Sequence, residues 1–265
     1  MLKSENHQDQ APKYANRIIR LLLTLLTDLF LLWVLFHYGL GGWESAVYLL
    51  TRLGLLPWFI LGAVIFLLLY RSDYRTDASL FLAGLALGYW GEWWGTTRGV
   101  WHYWNAATPP DYLPPLWGIG LLTVYRLGGF LQPLLRRELP RWAWRWLASS
   151  FILLPLAAFA WSWPRLVGVD WRGRLDIHFA AGLVVGAVLI LVRFDLRRDF
   201  PLYLCGLLLG GVYEYLGTSS GEWTYITGEI PPLWIAPLWG LAAVAMAKLA
   251  IWLSQGINHA IRITK

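Results

Sequence analysis

Apolar residues fall in runs of about 20 along this chain, and short segments rich in charge, glycine or proline separate them. A helix rises about 1.5 Å per residue, so a run of this length can cross the hydrocarbon core of a bilayer. The pattern predicts eight membrane-spanning helices, near residues 18–40, 50–70, 78–97, 115–135, 142–163, 175–193, 200–218 and 233–254.

The chain also contains an internal repeat. A shift of 122 residues superimposes 71–120 on 193–242 without a gap, and 22 of the 50 aligned positions are identical. Many identities are polar residues, glycine, proline or tryptophan, so shared hydrophobicity does not account for them. Self-similarity over this length indicates two copies of one structural unit. Four spans per copy would give both copies the same orientation in the membrane. A three-span core with one added helix in each copy explains the repeat equally well.

These patterns predict an all-α fold, a polytopic membrane helix bundle of about eight transmembrane helices built from two tandem repeats with the same orientation. The predicted organisation is a cytoplasmic N-terminal tail at 1–17, a first membrane repeat at 18–140, a second membrane repeat at 141–258 and a C-terminal tail at 259–265.

Composition and charge agree with a membrane protein. The chain is 57% hydrophobic and 14% charged, whereas a soluble domain is about 25% charged. With the N-terminus in the cytoplasm, the predicted inner segments hold 15 lysines and arginines and the outer loops hold 5, as the positive-inside rule favours. We therefore expect a multi-pass protein of the inner cell membrane. The net charge of +6 does not indicate nucleic acid, because the arginines flank apolar spans instead of forming a continuous patch.

Both copies of the repeat carry a glutamate next to an aromatic segment. Residues 89–104 read YWGEWWGTTRGVWHYW and residues 211–226 read GVYEYLGTSSGEWTYI, so Glu92 recurs as Glu214 ahead of a Gly-x-Trp-x-Tyr segment. Pro-Pro and Pro-Leu-Trp-Gly follow in each copy. The spacing places both glutamates in the outer half of the membrane, with the aromatic segments folded over them.

Small residues recur with the same spacing in both copies. Gly84 and Gly88 return as Gly206 and Gly210. Two small residues four positions apart lie on one helix face and let another helix approach closely. We therefore expect tight helix packing at these positions.

The sequence leaves two roles open for the glutamates. An ionised carboxylate inside a membrane is costly unless it is paired, so Glu92 and Glu214 either bind a cation or stay protonated. The predicted charge partners are Arg126 and its counterpart Lys248, which would form a structural latch with them. In an apolar, aromatic pocket the glutamates would instead be protonated near neutral pH and act as catalytic proton donors.

The surrounding aromatic residues suit the second role. Protonation of a carbon–carbon double bond creates a carbocation, and aromatic faces, tryptophan above all, stabilise a cation. A dry pocket of this kind suits proton-initiated chemistry on a polyisoprenoid that partitions into the bilayer. The predicted substrate-binding residues are Trp90, Trp93, Trp94, Trp101, Tyr103, Trp117, Tyr213, Trp223, Tyr225 and Trp239.

The order of these motifs resembles the integral-membrane lycopene cyclases of the heterodimer or fused two-repeat type. Their repeats carry an acidic residue, a Gly-x-Trp-x-Phe-like segment and Pro-Leu-Glu-Glu. The Glu-x-x-Gly-Thr frame is similar to that of the related membrane carotenoid hydratases. The resemblance covers about 50 residues in each copy, and this chain departs from it with Pro-Leu-Trp-Gly at 115–118 and 237–240. It implies cyclase- or hydratase-like chemistry on a carotenoid or related isoprenoid, without a cofactor.

Other features of the sequence define the competing functions. The Arg-x-Asp-x-Arg-x-Asp run at 71–77 returns at 193–199, and we expect it to form a solvated salt-bridge cluster at the cytoplasmic face. Chelation of Mg²⁺ and a prenyl diphosphate by these aspartates is a lower-ranked alternative. No zinc spacing or phosphate-binding glycine loop is present, so no metal is expected. Two functions other than that of an enzyme remain open. The chain is then a transporter or lipid-binding protein, or a structural subunit of a membrane complex. Any oligomer or complex partner is unknown.

Overall fold

The structure is a computed structural model that describes residues 11–39, 56–138, 140–167, 176–192 and 194–263. The described residues form eight α-helices and two short strands. Helix α1 continues into a π-helical turn at Leu35–Gly39. The elements are α1 (Ala11–Val34), α2 (Leu56–Leu69), α3 (Tyr74–Thr97), β1 (Trp101–Tyr103), α4 (Leu113–Glu138), α5 (Arg141–Val167), α6 (Ile177–Leu191), α7 (Leu196–Ser220), β2 (Trp223–Tyr225) and α8 (Ile235–Ile263).

The helical class predicted from the sequence is confirmed. A helix overlaps each of the eight apolar runs, although parts of the first, second and sixth runs lie outside the described residues. Three helical segments in the described part of the chain are long and apolar enough to cross a membrane, namely Arg17–Gly39, Leu196–Ser220 and Ile235–Gly256. That all eight helices cross it stays a prediction.

Aspartates determine where α3 and α7 begin. The side chains of Asp73 and Asp195 are the N-caps, and they accept hydrogen bonds from backbone N–H groups of the first turn at 3.1 and 3.0 Å. One turn further on, Asp77 and Asp199 accept the N–H of the respective cap residue, each at 2.9 Å. These acceptors satisfy N–H groups that have no partner within the helix.

The predicted solvated salt-bridge cluster is wrong for two of its aspartates. Asp77 and Asp199 are each 0% exposed. Asp77 pairs with Arg126 of α4, and Asp199 accepts from Lys248 of α8 at 2.8 Å. The packing of α4 and α8 across the first turns of α3 and α7 excludes water from these aspartates. Arg193, the first residue of the second run, lies outside the described residues.

Helices α3, α4, α7 and α8 form the centre of the bundle. Their most extensive contacts are α3 with α4, α7 with α8, α3 with α8 and α4 with α7. Helices α1 and α2 pack on the first pair, while α5 and α6 pack on the second. Many large apolar side chains on α1, α6 and α7 are exposed, as expected of helix faces that contact lipid.

Glycines bring the central helices close together, as predicted for Gly84 and Gly206. A Cβ atom on Gly84 would lie 2.7 Å from the carbonyl oxygen of Trp117 in α4, and one on Gly206 would lie 2.9 Å from that of Trp239 in α8. The obstacles are backbone atoms and, at Gly206, also the Ala243 Cβ at 2.8 Å, and these atoms cannot move aside as the end of a flexible side chain can. A larger residue at either position would therefore push two central helices apart.

Candidate functional site

Glu92 lies near the end of α3 and accepts three hydrogen bonds. The Trp101 indole N–H and the Tyr103 hydroxyl donate to its Oε2 at 3.1 and 2.9 Å, and the Trp117 indole N–H donates to its Oε1 at 3.1 Å. The glutamate is 7% exposed. Since the donors belong to β1 and α4, this carboxyl group joins three elements of the fold.

Glu214, near the end of α7, is bound in the same way. The Trp223 indole N–H and the Tyr225 hydroxyl donate to its Oε2 at 3.0 and 2.8 Å, and the Trp239 indole N–H donates to its Oε1 at 2.8 Å. It is 5% exposed. Each of the six hydrogen bonds has a counterpart 122 residues away in the sequence, so the same motif produces the same local structure twice.

The two strands bring the glutamates together. They pair antiparallel, with Trp101 opposite Tyr225 and Tyr103 opposite Trp223. In each pair the ring centroids are 5.8 Å apart. Side chains alternate along a strand, so the tryptophan and tyrosine of each strand share one face. That face covers the glutamates, while the residue between them is exposed in both strands.

Both glutamates line a single cavity with a volume of about 120 Å³. Trp117 and Trp239 stack on each other here, with centroids 4.1 Å apart and planes inclined by 10°. No lysine, arginine or histidine is among the described residues that line the cavity. The lining residues are Gly91, Glu92, Trp101, Tyr103, Trp117, Tyr213, Glu214, Trp223, Tyr225, Ile235, Leu238, Trp239 and Ala242.

A glycine of α3 or α7 makes room for each indole that binds a glutamate. The pairs are Gly88 with Trp117, Gly95 with Trp101, Gly210 with Trp239 and Gly217 with Trp223. A Cβ atom on any of these glycines would lie less than 3.0 Å from the ring. The sequence predicted that Gly88 and Gly210 allow close helix packing, whereas the structure uses them to seat a side chain.

The predicted latch between the glutamates and the cations is excluded by the structure. Arg126 and Lys248 pair with Asp77 and Asp199 instead. These aspartates lie 15 residues before the glutamates on the same helices, which corresponds to about 22 Å along the axis. The glutamates are therefore held by neutral donors, whereas the cations stabilise the opposite ends of α3 and α7.

The two strand tyrosines act as neutral donors. Burial, together with the neighbouring carboxylate, raises the pKa of Tyr103 and that of Tyr225 far above the usual value of a phenol. Their hydroxyl groups therefore keep the proton that they donate to Glu92 and Glu214 throughout the physiological pH range.

Seven of the ten predicted aromatic residues line the glutamate cavity, and three do not. Trp90 and Trp94 line a second cavity of about 230 Å³ between α3, α6 and α8. Trp93 belongs to neither lining and packs edge-on against His178, with ring centroids 5.3 Å apart. The predicted set thus contains the aromatic residues of the glutamate cavity, but it also includes two residues of the second cavity.

Some residues of the site were missed by the sequence analysis. Ile235, Leu238 and Ala242 line the glutamate cavity, but apolar residues inside apolar helices carry no signal of their own. The aspartate partners of the two cations carried no deciding signal in the sequence. In both copies 49 residues separate the buried aspartate from its cation, but 34 residues separate the glutamate from the same cation in both copies, so the spacing does not choose between them.

Neither a metal site nor a known relative identifies the function. Within the described ranges, no group of three or more His, Cys, Asp or Glu side chains is placed to hold a metal ion. Comparison of the chain with protein-family models, with curated proteins and with solved structures found no match. The function of the cavity must therefore be inferred from its own geometry.

Proposed function

We propose that this chain is an integral membrane enzyme that modifies a carotenoid or related isoprenoid lipid by acid-initiated chemistry of the cyclase or hydratase kind. One observation carries the proposal. Two buried carboxyl groups share one aromatic cavity, and no basic residue is among its described lining residues. The motif resemblance to lycopene cyclases and carotenoid hydratases agrees with it.

The helix contacts support two tandem repeats with the same orientation. The α3–α4 contact corresponds to α7–α8, and the α3–α8 contact corresponds to α7–α4. Helices α1 and α2 flank the first pair as α5 and α6 flank the second. We accordingly propose that all eight helices cross the inner membrane and that the N-terminus lies in the cytoplasm, as the positive-inside rule favours. The two copies would then be related by an axis along the membrane normal.

The proposed reaction begins with proton transfer from Glu92 or Glu214 to a terminal double bond of the lipid. The carboxyl O–H bond breaks, a C–H bond forms, and the π electrons of the alkene leave a carbocation on the adjacent carbon. In the cyclase-like course an internal double bond attacks this cation, a ring C–C bond forms, and a proton leaves to the other glutamate as carboxylate. In the hydratase-like course a C–O bond forms between water and the cation, and the resulting oxonium ion gives a proton back to the glutamate that has become a carboxylate. Neither course needs an oxidant or a reductant.

The cavity walls suit the cationic intermediate. The rings of Trp101, Tyr103 and Trp117 surround one carboxyl group, and their counterparts surround the other. The π faces stabilise a cation electrostatically, and the effect is strongest where water is excluded. A carboxylate in the same cavity stabilises positive charge further.

Exchange of each glutamate for glutamine tests the proposal. Glu92→Gln and Glu214→Gln keep the side-chain shape but remove the transferable proton. In cells that make a linear carotenoid, wild type should yield an altered isoprenoid in lipid extracts analysed by mass spectrometry. At least one variant should lower the yield about 100-fold or more, the scale of general acid catalysis. Glu222→Gln is the matched control, because Glu222 is an exposed glutamate between α7 and β2 and should leave the yield unchanged.

Two results would contradict the enzyme proposal. One is an unchanged isoprenoid profile in cells with and without the wild-type protein. The other is full conversion by both glutamine variants. Folded protein is quantified in parallel by detergent-resistant migration, so a loss of yield is attributed to chemistry only where the amount of folded protein is normal.

A non-enzymatic lipid-binding or transport protein is the second candidate, and the hydrogen bonds at the glutamates favour it. Both oxygens of Glu92 and both of Glu214 already accept N–H or O–H donors, as in a structural clamp that ties the strands to the helices. In that case the glutamine variants should lose folded protein, because an amide N–H₂ would face at least one donor and leave it unsatisfied.

A further inference from the structure

A second cavity lies directly beside the glutamate cavity. It has a volume of about 230 Å³ and is formed by α3, α6 and α8. The two cavities share Gly91 of α3 and Ala242 of α8 in their linings. Side chains that line the second cavity include Leu87, Trp90, Trp94, Phe179, Leu189 and Met246.

The second cavity is a groove that is open at the surface of the described helices. Its wall on α6 runs over residues 178–189, about 16 Å along the helix axis. Leu183 and Val185 in this wall are 55% and 39% exposed. A Cβ atom on Gly182 or Gly186 would have nothing within 4 Å, so these glycines leave space between the helices. Apart from His178 at one end, its described lining residues carry no ionisable side chain.

Among the described residues, the two halves of the chain differ where the groove adjoins the glutamate cavity. Gly91 adjoins Glu92, and a Cβ atom on it would meet nothing within 4 Å. The residue 122 positions later is Tyr213. Its ring fills space beside Trp223 and Trp239, with centroid distances of 5.2 and 5.7 Å. A side chain thus occupies in the second half the place that is left open in the first.

We infer that the groove binds the hydrocarbon chain of a linear isoprenoid lipid, whose end group enters the glutamate cavity past Gly91 and meets Glu92. The isoprenoid class of this ligand rests on the proposed function. The cavity of about 120 Å³ is well below the range of about 300–1,000 Å³ of sites that enclose a drug-sized ligand. Only the end of a long molecule fits there, and the rest must lie outside. The groove is apolar, open at the surface of the described helices and adjacent to the cavity, with which it shares Gly91 and Ala242, so it provides that place.

Photoaffinity labelling of the full-length protein in nanodiscs tests the inference. The probe is geranylgeraniol that carries a diazirine, and labelled peptides are mapped by mass spectrometry. We expect labels on α3, α6 and α8 within 87–94, 178–189 and 242–246, and excess unlabelled geranylgeraniol should remove them. Gly182→Leu fills the groove and should lower this labelling by about ten-fold. Gly62→Leu on α2 is the matched control, because a Cβ atom there also meets nothing within 4 Å, and it should have no effect.

The outcomes separate this inference from the proposed function. Labels spread evenly over all lipid-facing helices, without competition, would refute the groove as a binding site, and so would equal labelling of wild type and Gly182→Leu. If Gly182→Leu reduces the amount of folded protein, the positions of the labels on the wild-type protein still show whether the groove binds the probe. Glu92→Gln should keep the labelling while it stops conversion. Competed labelling of the groove together with full conversion by both glutamine variants would retain the groove and refute the acid chemistry.

Discussion

The glycine beneath Trp101 is expected to be essential to the glutamate site. Gly95→Ala adds one methyl group to α3 at a position where its Cβ would lie less than 3.0 Å from the Trp101 ring. The ring packs between this helix and Tyr225, whose centroid is 5.8 Å away. The methyl group must therefore displace the indole and, with it, the 3.1 Å hydrogen bond to Glu92.

The size of the effect follows from three contributions. Overpacking a filled site costs about 1–3 kcal/mol, and leaving the buried indole N–H without its acceptor costs about 1–3 kcal/mol. Alanine is better than glycine inside a helix by about 0.5–1 kcal/mol, which acts in the opposite direction. Gly95→Ala should therefore lower the free energy of unfolding by about 1–5 kcal/mol. Gly217→Ala, at the glycine beneath Trp223, should lower the free energy of unfolding by a similar amount.

The assay is reversible unfolding in detergent micelles with added SDS, followed by far-UV circular dichroism. Gly129→Ala in α4 is the matched control: the same methyl group is added within a helix, but its Cβ meets nothing within 4 Å. The control should be neutral or stabilised by up to about 1 kcal/mol. If Gly95→Ala were as stable as Gly129→Ala, the indole would not be seated on this glycine and the geometry of the site would be wrong.

Two further predictions use the same unfolding assay. Asp77→Asn leaves Arg126 charged and unpaired in a buried place and should lower the free energy of unfolding by about 3–5 kcal/mol. Replacement of both residues by leucine should recover most of this loss. If the double variant were as unstable as Asp77→Asn, the two residues would not form a buried ion pair. Tyr103→Phe removes one of the donors to the glutamate and should cost about 0.5–1.5 kcal/mol, while the exposed His102→Ala should be neutral. Because the raised pKa of Tyr103 keeps the folded phenol protonated, the stabilisation by its hydroxyl should be constant from about pH 5 to 9 and decline only above the unfolded value of about 10. A decline near neutral pH would contradict this assignment.

Much of the glutamate site could be predicted because its parts are close in sequence and occur twice. Glu92 precedes Trp101 by 9 residues, Tyr103 by 11 and Trp117 by 25, and the same intervals follow Glu214. A helix end, a short strand and the next helix start are the only elements involved, so local chain geometry places the donors near the acid. The sequence alone indicated both glutamates and the aromatic residues around them.

The sequence by itself determined the helical runs, the recurring motif and the residues that surround each acid, because these depend on hydrophobic period and short spacing. Only the tertiary structure determined which carboxylates the two cations pair with. Arg126 and Lys248 had two acidic candidates each, and packing of α4 and α8 against the first turns of α3 and α7 selected the aspartates. It also decided that both acids share one cavity and that Gly91 leaves one side of it open. Such features depend on which helices meet across the bundle, and contacts between distant segments leave no periodic trace in the chain.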